Sequence, residues 1–361
     1  GVWMQPGVGE LNTMQEFFAG SGLVAEGLKD TFATVWANDI SPQKAAVYRA
    51  NRGDDAFLLD DIKNVKGSDG PAAQLAWASF PCQDLSLAGN MAGIHASRSG
   101  LVWEFLRVLD EMPVRPRVLL LENVMGLLTT KAGYNYKVVH KALLERGYRC
   151  GAVTLNADRF VPQSRPRVFI IAVDSRAPIP DELVGEGPNW LHNGAASSIG
   201  MELGADWVWW NAPAPQARQE TVADIIESDV PFDKDAVLSL IPDSHRVRLE
   251  DFDDIVVTAY RRTRSSGVQL ELRFDGEAGC LRTPGGGSSK QFLVVRHAGE
   301  THARLLTPRE VARLMGAPDS FKLPGSDNDA YKAMGDGVAV PVARFLGEQF
   351  LSKLVEAAYV E

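Results

Sequence analysis

Cysteine is scarce in this chain. Only Cys82, Cys150 and Cys280 occur, an odd number, far apart and with no CxxC spacing. That usage argues against a disulfide-stapled scaffold and a cysteine-based zinc site, and no metal ligand set is expected. It suits reduced thiols in a cytoplasm. Long apolar runs are missing too, with nothing near the roughly 18 consecutive apolar residues of a membrane span. The opening GVWMQPGVGE has neither a basic n-region nor an apolar h-region and does not read as a secretory signal. Residues 1–11 read as a disordered lead-in. Positive charge is not in excess: the formal net charge is −9, which argues weakly against nucleic acid as a partner.

The total conceals an asymmetry. Residues 174–259 carry 17 acidic and 5 basic side chains, whereas residues 261–314 carry 10 basic and 5 acidic. The run YRRTR occupies 260–264. A basic patch on an acidic protein is either a footprint for a polyanion or a solvated charged face.

At 361 residues with 45% hydrophobic content, one large domain plus a smaller one is expected. The first 175 residues alternate strand-like and helix-like stretches. TFATVWAND reads as a strand, and SPQKAAVYRAN as a helix with Ser41 as N-cap and Pro42 at its first position. RPRVLLLENV reads as a buried strand, and YKVVHKALLERGY as a helix ending before Gly147. CGAVTLNADR and RVFIIAVD add a hairpin at one edge. The rhythm predicts an α/β domain over 12–175, Rossmann-like, with a mostly parallel sheet covered on both faces. From 176 to 300 Gly, Pro, Asp and Trp become frequent and the rhythm is lost, which predicts a smaller, irregular domain. Residues 301–361 return to helices. TPREVARLMGAP offers a capping box through Thr307, Pro308 and Glu310, and PVARFLGEQFLSKLVEAA reads as one long C-terminal helix.

Chemistry-bearing residues gather at the carboxyl ends of the predicted strands. FFAGSGLVAEGL puts Gly20 and Gly22 between a strand and a helix, where a backbone can approach a ligand. A plain tight turn explains such a pair equally well. Asp39 lies at the spacing expected for a carboxylate on a ribose hydroxyl, and Asp61 ends the next strand. Alone, each reads as a helix cap; together with the glycines they describe a nucleoside pocket. Cys82 follows the strand ending in SFPCQ at the same edge. A lone cysteine is more often packing than nucleophile, so its neighbours decide. VLLLENV places Glu122 and Asn123 there, and an ionised Glu is rarely buried without a partner. In VPQSRPRVF, Gln163, Arg165 and Arg167 alternate, so an extended chain points all three to one face. That face suits pairing with Glu122, or else belongs to a charged edge strand.

Taken in order, FAGSG, PCQ, SRSGL (97–101), ENV, QSRPR, LTPREVARLMGAPDSF and YKAMGDGVAVPV resemble the bacterial-type C5 cytosine-specific DNA methyltransferases. The resemblance covers nearly the whole chain except 175–260. It implies a Rossmann-like methyltransferase domain, a target-recognition domain over 176–300, S-adenosylmethionine as cosubstrate and duplex DNA as partner. Cys82 would attack C6 of a flipped-out cytosine, and Glu122 would bond N3 and the exocyclic amine. Arg167 would hold O2, and Arg165 would neutralise and orient the site. The cosubstrate would meet Phe18, Gly20, Gly22, Ile62, Pro81, Leu101, Asp336 and Val338. Asp39 would take the ribose hydroxyls, Asp61 the adenine amine, and Ile40 would stand where many relatives place a tryptophan over adenine. DNA would meet Gln83, Ser86 and Arg98 of the loop after Cys82, together with Gln163, Arg261, Arg262, Arg264, Arg282, Thr283 and Lys290.

Two departures stand out against that family. Its usual Gly-Asn-Ser-Val is Gly335-Asp336-Gly337-Val338 here, so a carboxylate either repels the methionine carboxylate or pairs with its amine. Its usual Thr-Leu is Cys280-Leu281, which leaves a phosphate contact to Thr283 or the Gly285–Gly287 backbone. The resemblance implies a cytoplasmic monomer with no membrane attachment, and it leaves open a cognate restriction enzyme encoded elsewhere. Two rival readings are weighed. An inactive DNA-binding module is opposed by the intact Cys82, Glu122 and Arg167 set; a relative acting on tRNA is opposed by PCQ and the sizeable recognition domain.

Overall fold

The computed structural model describes residues 11–81, 100–284 and 289–360. Cys82, Gln83, Ser86, Arg98, Gly285–Gly287 and nearly all of the expected lead-in lie outside the described residues.

Seven strands form the central sheet: β1 (Asn12–Phe17), β2 (Phe32–Asp39), β3 (Phe57–Leu59), β4 (Leu75–Ser79), β5 (Val118–Val124), β6 (Tyr148–Asn156) and β7 (Pro166–Asp174). Their spatial order is β3-β2-β1-β4-β5-β7-β6. The first five are parallel, and β7 runs antiparallel to both β5 and β6. The expected edge hairpin is therefore present. Strand order reverses between β1 and β4, which opens a crevice at their carboxyl ends where ligands of such sheets bind.

The continuous apolar run Val118–Leu121 follows from burial on both faces. Val118 and Leu120 join one core with Trp77, Phe169, Leu23 and Val340; Leu119 and Leu121 join the other with Phe105, Val139 and Ile170. The first face is covered by α1 (Leu23–Leu28) and the C-terminal helices, the second by α3 (Leu101–Glu111), α5 (Tyr134–Glu145) and α6 (Gly194–Leu203). Helix α2 spans Pro42–Arg52, capped by the Ser41 hydroxyl, which accepts from the Lys44 amide. The short α4 covers Gly126–Thr129.

The region after 175 divides in two. Residues 176–212 pack both on themselves and on the large sheet: Val184 bridges to Trp210 and the Gly185 amide donates to the Trp209 carbonyl, while the Thr154 amide donates to the Leu191 carbonyl and the Val208 amide to the Cys150 carbonyl. This Trp-containing stretch thus has contacts of its own as well as a face on the sheet. It covers the outer edge of β6, whose backbone groups would otherwise be open to pairing with another chain. Further on, β8 (Ile255–Arg264), β9 (Gly267–Arg273), β10 (Phe292–His297) and β11 (Glu300–Leu305) form an antiparallel sheet in the order β11-β10-β8-β9. Regular strands thus occupy part of a region expected to be irregular, and the sheet runs on to Leu305, past the expected boundary at 300. Val257, Leu270, Phe292 and Val294 fill its core beside α7 (Asp243–Glu250).

A buried Arg304–Glu310 ion pair of 2.7 and 2.8 Å joins this sheet to α8 (Pro308–Leu314). Thr307 and Glu310 form the expected capping box there. Helix α9 (Asp327–Gly335) precedes the C-terminal segment. That segment is α10 (Val340–Leu346), a π-helical turn over Gly347–Leu351, and α11 (Ser352–Ala358). The one expected helix is continuous but widened where α1 presses against it: a Cβ on Gly347 would lie 2.4 Å from Leu28 Cδ2. Among the described residues no helix is long and apolar enough to cross a membrane.

Candidate active site

A cavity of about 1030 Å³ opens where β1, β2, β4 and β5 end, and the segments after β9 and α9 close it from the other side. Parallel strands deliver their polar termini to this edge. Phe18, Gly20, Asp39, Ile40, Asp61, Ile62, Pro81, Leu101, Asp336 and Val338 all line it, as do Glu122, Arg167, Arg282 and Thr283.

The turn after β1 is strained. Phe18 has a φ of 56°, and Gly20 and Gly22 have φ values of 58° and 90°. A left-handed non-glycine residue costs free energy and persists only where its surroundings hold it. Asp39 does the holding: one carboxylate oxygen accepts from the Gly20 amide at 2.8 Å, the other from the Ser41 amide at 2.9 Å. Each oxygen keeps a second lone pair for a ligand. Gly22 does not line the cavity. It caps α1 in the left-handed region, and a Cβ there would sit 3.0 Å from the Tyr48 ring. Its part is to make the turn, which corrects the expected ligand contact.

Glu122 lies near the carboxyl end of β5, opposite Ser79 of β4. It is buried, and burial pushes its carboxyl above the usual range; Arg167, Ser79 and Arg165 act the other way. Arg167 Nε stands 3.6 Å from Glu122 Oε1. The antiparallel register sets Phe169 directly across from Glu122 and Arg167 diagonal to it, on the same face. Cys280 faces the same space, with Sγ 3.6 Å from both Arg165 Nη1 and Arg167 Nη2. A carboxyl whose burial strengthens its hold on a proton, set beside a guanidinium, can donate to one ligand atom while the guanidinium holds a carbonyl oxygen.

Across residues 12–352 the chain matches the family model of C-5 cytosine-specific DNA methylase. The chain belongs to that family. It is 28% identical over 348 residues to the type II methyltransferase M.Bsp6I of Bacillus sp. (strain RFL6), covering 94% of this chain and 98% of that protein. To M.HpaII of Haemophilus parainfluenzae it is 28% identical over 372 residues, covering 97% and 92%. Among solved structures, S. pombe Dnmt2 methyltransferase superposes with a TM-score of 0.58 at 19% identity, covering 97% of this chain and 100% of that one. A Spodoptera frugiperda DNMT2 mutant gives 0.60 at 18%, covering 95% and 99%. These two likenesses bear on the fold. Family membership makes the chain a DNA (cytosine-5-)-methyltransferase.

Several expected site residues of this methylase do other work. Gln163 was expected at DNA, yet it is fully buried. Its Nε2 donates to the Leu314 carbonyl at 2.7 Å, and its Oε1 accepts from the Leu281 amide at 3.0 Å. It braces the segment after β9 and does not face DNA. Arg165 points the same way but lies beneath the cavity, 2% exposed. It donates to the carbonyls of Leu281, Gly335 and Gly337 at 2.8, 2.9 and 2.8 Å. Burial and the neighbouring Arg167 pull its pKa down to about 10. Arg165 is thus the strut that holds both closing segments in place. Arg165→Met should strand three carbonyls and cost about 3 kcal/mol of stability, read as a lower urea midpoint with an unchanged slope.

The arginines of the smaller sheet are committed as well. Arg262 and Arg264 share the carboxylate of Glu271 at 3.3 and 2.5 Å, and Arg261 lies over the Phe292 ring at 5.2 Å. Lys290 stands 5.2 Å from the Tyr331 ring centre. None of these four lines the cavity.

Sequence reasoning missed Glu16 and Lys44. Glu16 lies in β1, 1% exposed, and belongs to the cavity lining; its buried Oε1 has no hydrogen-bond partner among the described residues. Burial, then the charge of Asp39, push its pKa well up. The signal was available: an acid in the strand that runs into the glycine turn, two residues before Phe18. Lys44 reaches across the rim from α2 to pair with Asp336.

Proposed function

We propose that this methylase transfers a methyl group from S-adenosylmethionine to C5 of a cytosine flipped out of a specific duplex sequence, through a covalent Cys82–C6 intermediate. The carrying observation is that the Glu122–Arg167 pair and the Glu16–Asp39–Asp61 wall share one cavity. One end suits a pyrimidine, the other a nucleoside with a cationic tail.

The residues present fit the cosubstrate. Its ribose hydroxyls would meet Asp39, its adenine amine Asp61, and its adenine faces the apolar Ile40, Ile62 and Leu101. The unpartnered Glu16 oxygen gives a cationic group a partner inside the cavity. When bound, the group supplies a methyl on a sulfonium.

At the other end, Cys82 as thiolate attacks C6 of cytosine, forming the C–S bond and pushing the ring electrons toward C5. Glu122 gives its proton to N3 and accepts from the exocyclic amine, so that the ring can carry that density. Arg167 stabilises the charge gathering on O2. After C5 has taken the methyl, its proton leaves to a base, the C5–C6 double bond re-forms, the Cys82 sulfur departs with its electron pair, and the N3 proton returns to Glu122. C6 is shielded in a stacked duplex, and base flipping costs a few kcal/mol. Arg282 and Thr283, which line the cavity, would meet DNA nearest the chemistry; Arg261, Arg262, Arg264 and Lys290 would position phosphates farther out once released from their internal partners.

The setting is bacterial-type: the enzyme acts in the cytoplasm on host duplex DNA, within a restriction-modification system. Bisulfite sequencing of host DNA after expression tests the reading. Protected cytosines confined to one short sequence are expected, and a host genome without protected cytosines would reject it.

A further inference from the structure

Lys44 and Asp336 are 292 positions apart in sequence, yet they meet at the rim of the cavity. Lys44 rises from the first turn of α2 and runs over the glycine turn, its Cδ 3.9 Å from where a Gly20 Cβ would stand. Asp336 follows α9 in the segment held by Arg165. Their side chains are 20% and 48% exposed. An ion pair so open to water adds little to stability, so holding the fold does not account for it. Both side chains line the cavity whose wall carries the buried, unpartnered Glu16 oxygen.

Asp336 alone would set a bare carboxylate at that rim. Lys44 cancels it, and the two leave a positive and a negative group side by side. That pattern is complementary to the α-aminocarboxylate of an amino acid, which carries the same two charges in reverse.

We propose that Lys44 and Asp336 are the recognition pair for the amino-acid end of the cosubstrate. Lys44 binds the carboxylate, Asp336 binds the ammonium, and each releases the other when the ligand enters. The proposal rests on the reading of this cavity as the S-adenosylmethionine site.

Calorimetric titration of the full chain tests it, with S-adenosylmethionine, S-adenosylhomocysteine and methylthioadenosine as ligands; the last has the nucleoside and thioether but no aminocarboxylate. Lys44→Ala should weaken the first two about ten- to a hundredfold and leave methylthioadenosine unchanged. Asp336→Asn should weaken the same two ligands, because the ammonium loses its partner, and likewise leave methylthioadenosine unchanged. Equal binding of S-adenosylmethionine by wild type and Lys44→Ala would overturn the proposal. So would a parallel loss of methylthioadenosine, which would mark a general defect, or an Asp336→Asn variant that binds S-adenosylmethionine as the wild type does. A wild-type chain that binds none of the three would instead reject the cosubstrate reading itself, and the pair with it.

Discussion

Replacing Cys82 with alanine is expected to lower methyl transfer by about four orders of magnitude or more while duplex binding persists. The sulfur is the only group in the scheme that can add to C6, and without that addition C5 is not nucleophilic enough to accept a methyl. Strand β4 sets the stage: Ser79 sits opposite Glu122, and Phe80 and Pro81 line the cavity immediately before Cys82. The other two thiols sharpen the test. Cys150 is buried behind His140, and burial raises its thiol pKa steeply. Cys280 lines the cavity between Arg165 and Arg167. Single-turnover transfer of labelled methyl, beside a gel-shift assay, separates chemistry from binding. Activity that survives in Cys82→Ala and disappears in Cys280→Ala would move the nucleophile to Cys280.

Glu122→Gln carries the next largest effect, a loss of about 10²- to 10⁴-fold in rate. Glutamine keeps the shape and a hydrogen bond but has no proton to give. The pH profile supplies the mechanistic signature. Burial raises the Glu122 pKa above the ordinary carboxylate value of about 4.3. The proton-donating form is therefore full below that raised value and declines as pH climbs through it, giving activity an alkaline limb. In Glu122→Gln the limb should vanish along with most of the rate. A variant that keeps the limb would assign it to another group.

Much of this site was legible in the sequence because a parallel sheet converts linear pattern into spatial convergence. Every strand that ends in polar residues after an apolar run delivers them to one edge, so Asp39, Asp61, Pro81 and Glu122 meet there without further information. Caps were legible for a similar reason: Ser41-Pro42 and Thr307-Pro308 with Glu310 act over a few residues of chain. Side-chain direction was less so. Alternation put Gln163, Arg165 and Arg167 on one face correctly. It did not say that Leu281, Gly335 and Gly337 would arrive from distant segments to occupy the first two. Lys44 was opaque because its partner lies near the far end of the chain.

The smaller sheet was missed for a different reason. DDIVVTAYRRTRSSGVQLELRFD contains alternation around a Ser-Ser-Gly turn, and VVRHAGETHARL contains it around Ala298-Gly299. Both are hairpin signals. Glycine, proline and acidic residues in the same region masked them, and nothing local specifies that β8 pairs with β10 across the intervening segment.

The account depends on a sulfur, a carboxyl group and a guanidinium acting together on a single extrahelical cytosine. Duplex DNA with 5-fluorocytosine at the target position tests this most directly, because fluorine at C5 cannot leave as a proton does and the adduct is trapped. With S-adenosylmethionine present, the wild-type chain should give a band on a denaturing gel that contains protein, DNA and labelled methyl in equal amounts, and Cys82→Ala should give none. A wild-type enzyme that methylates ordinary DNA yet leaves no such band would contradict the covalent route.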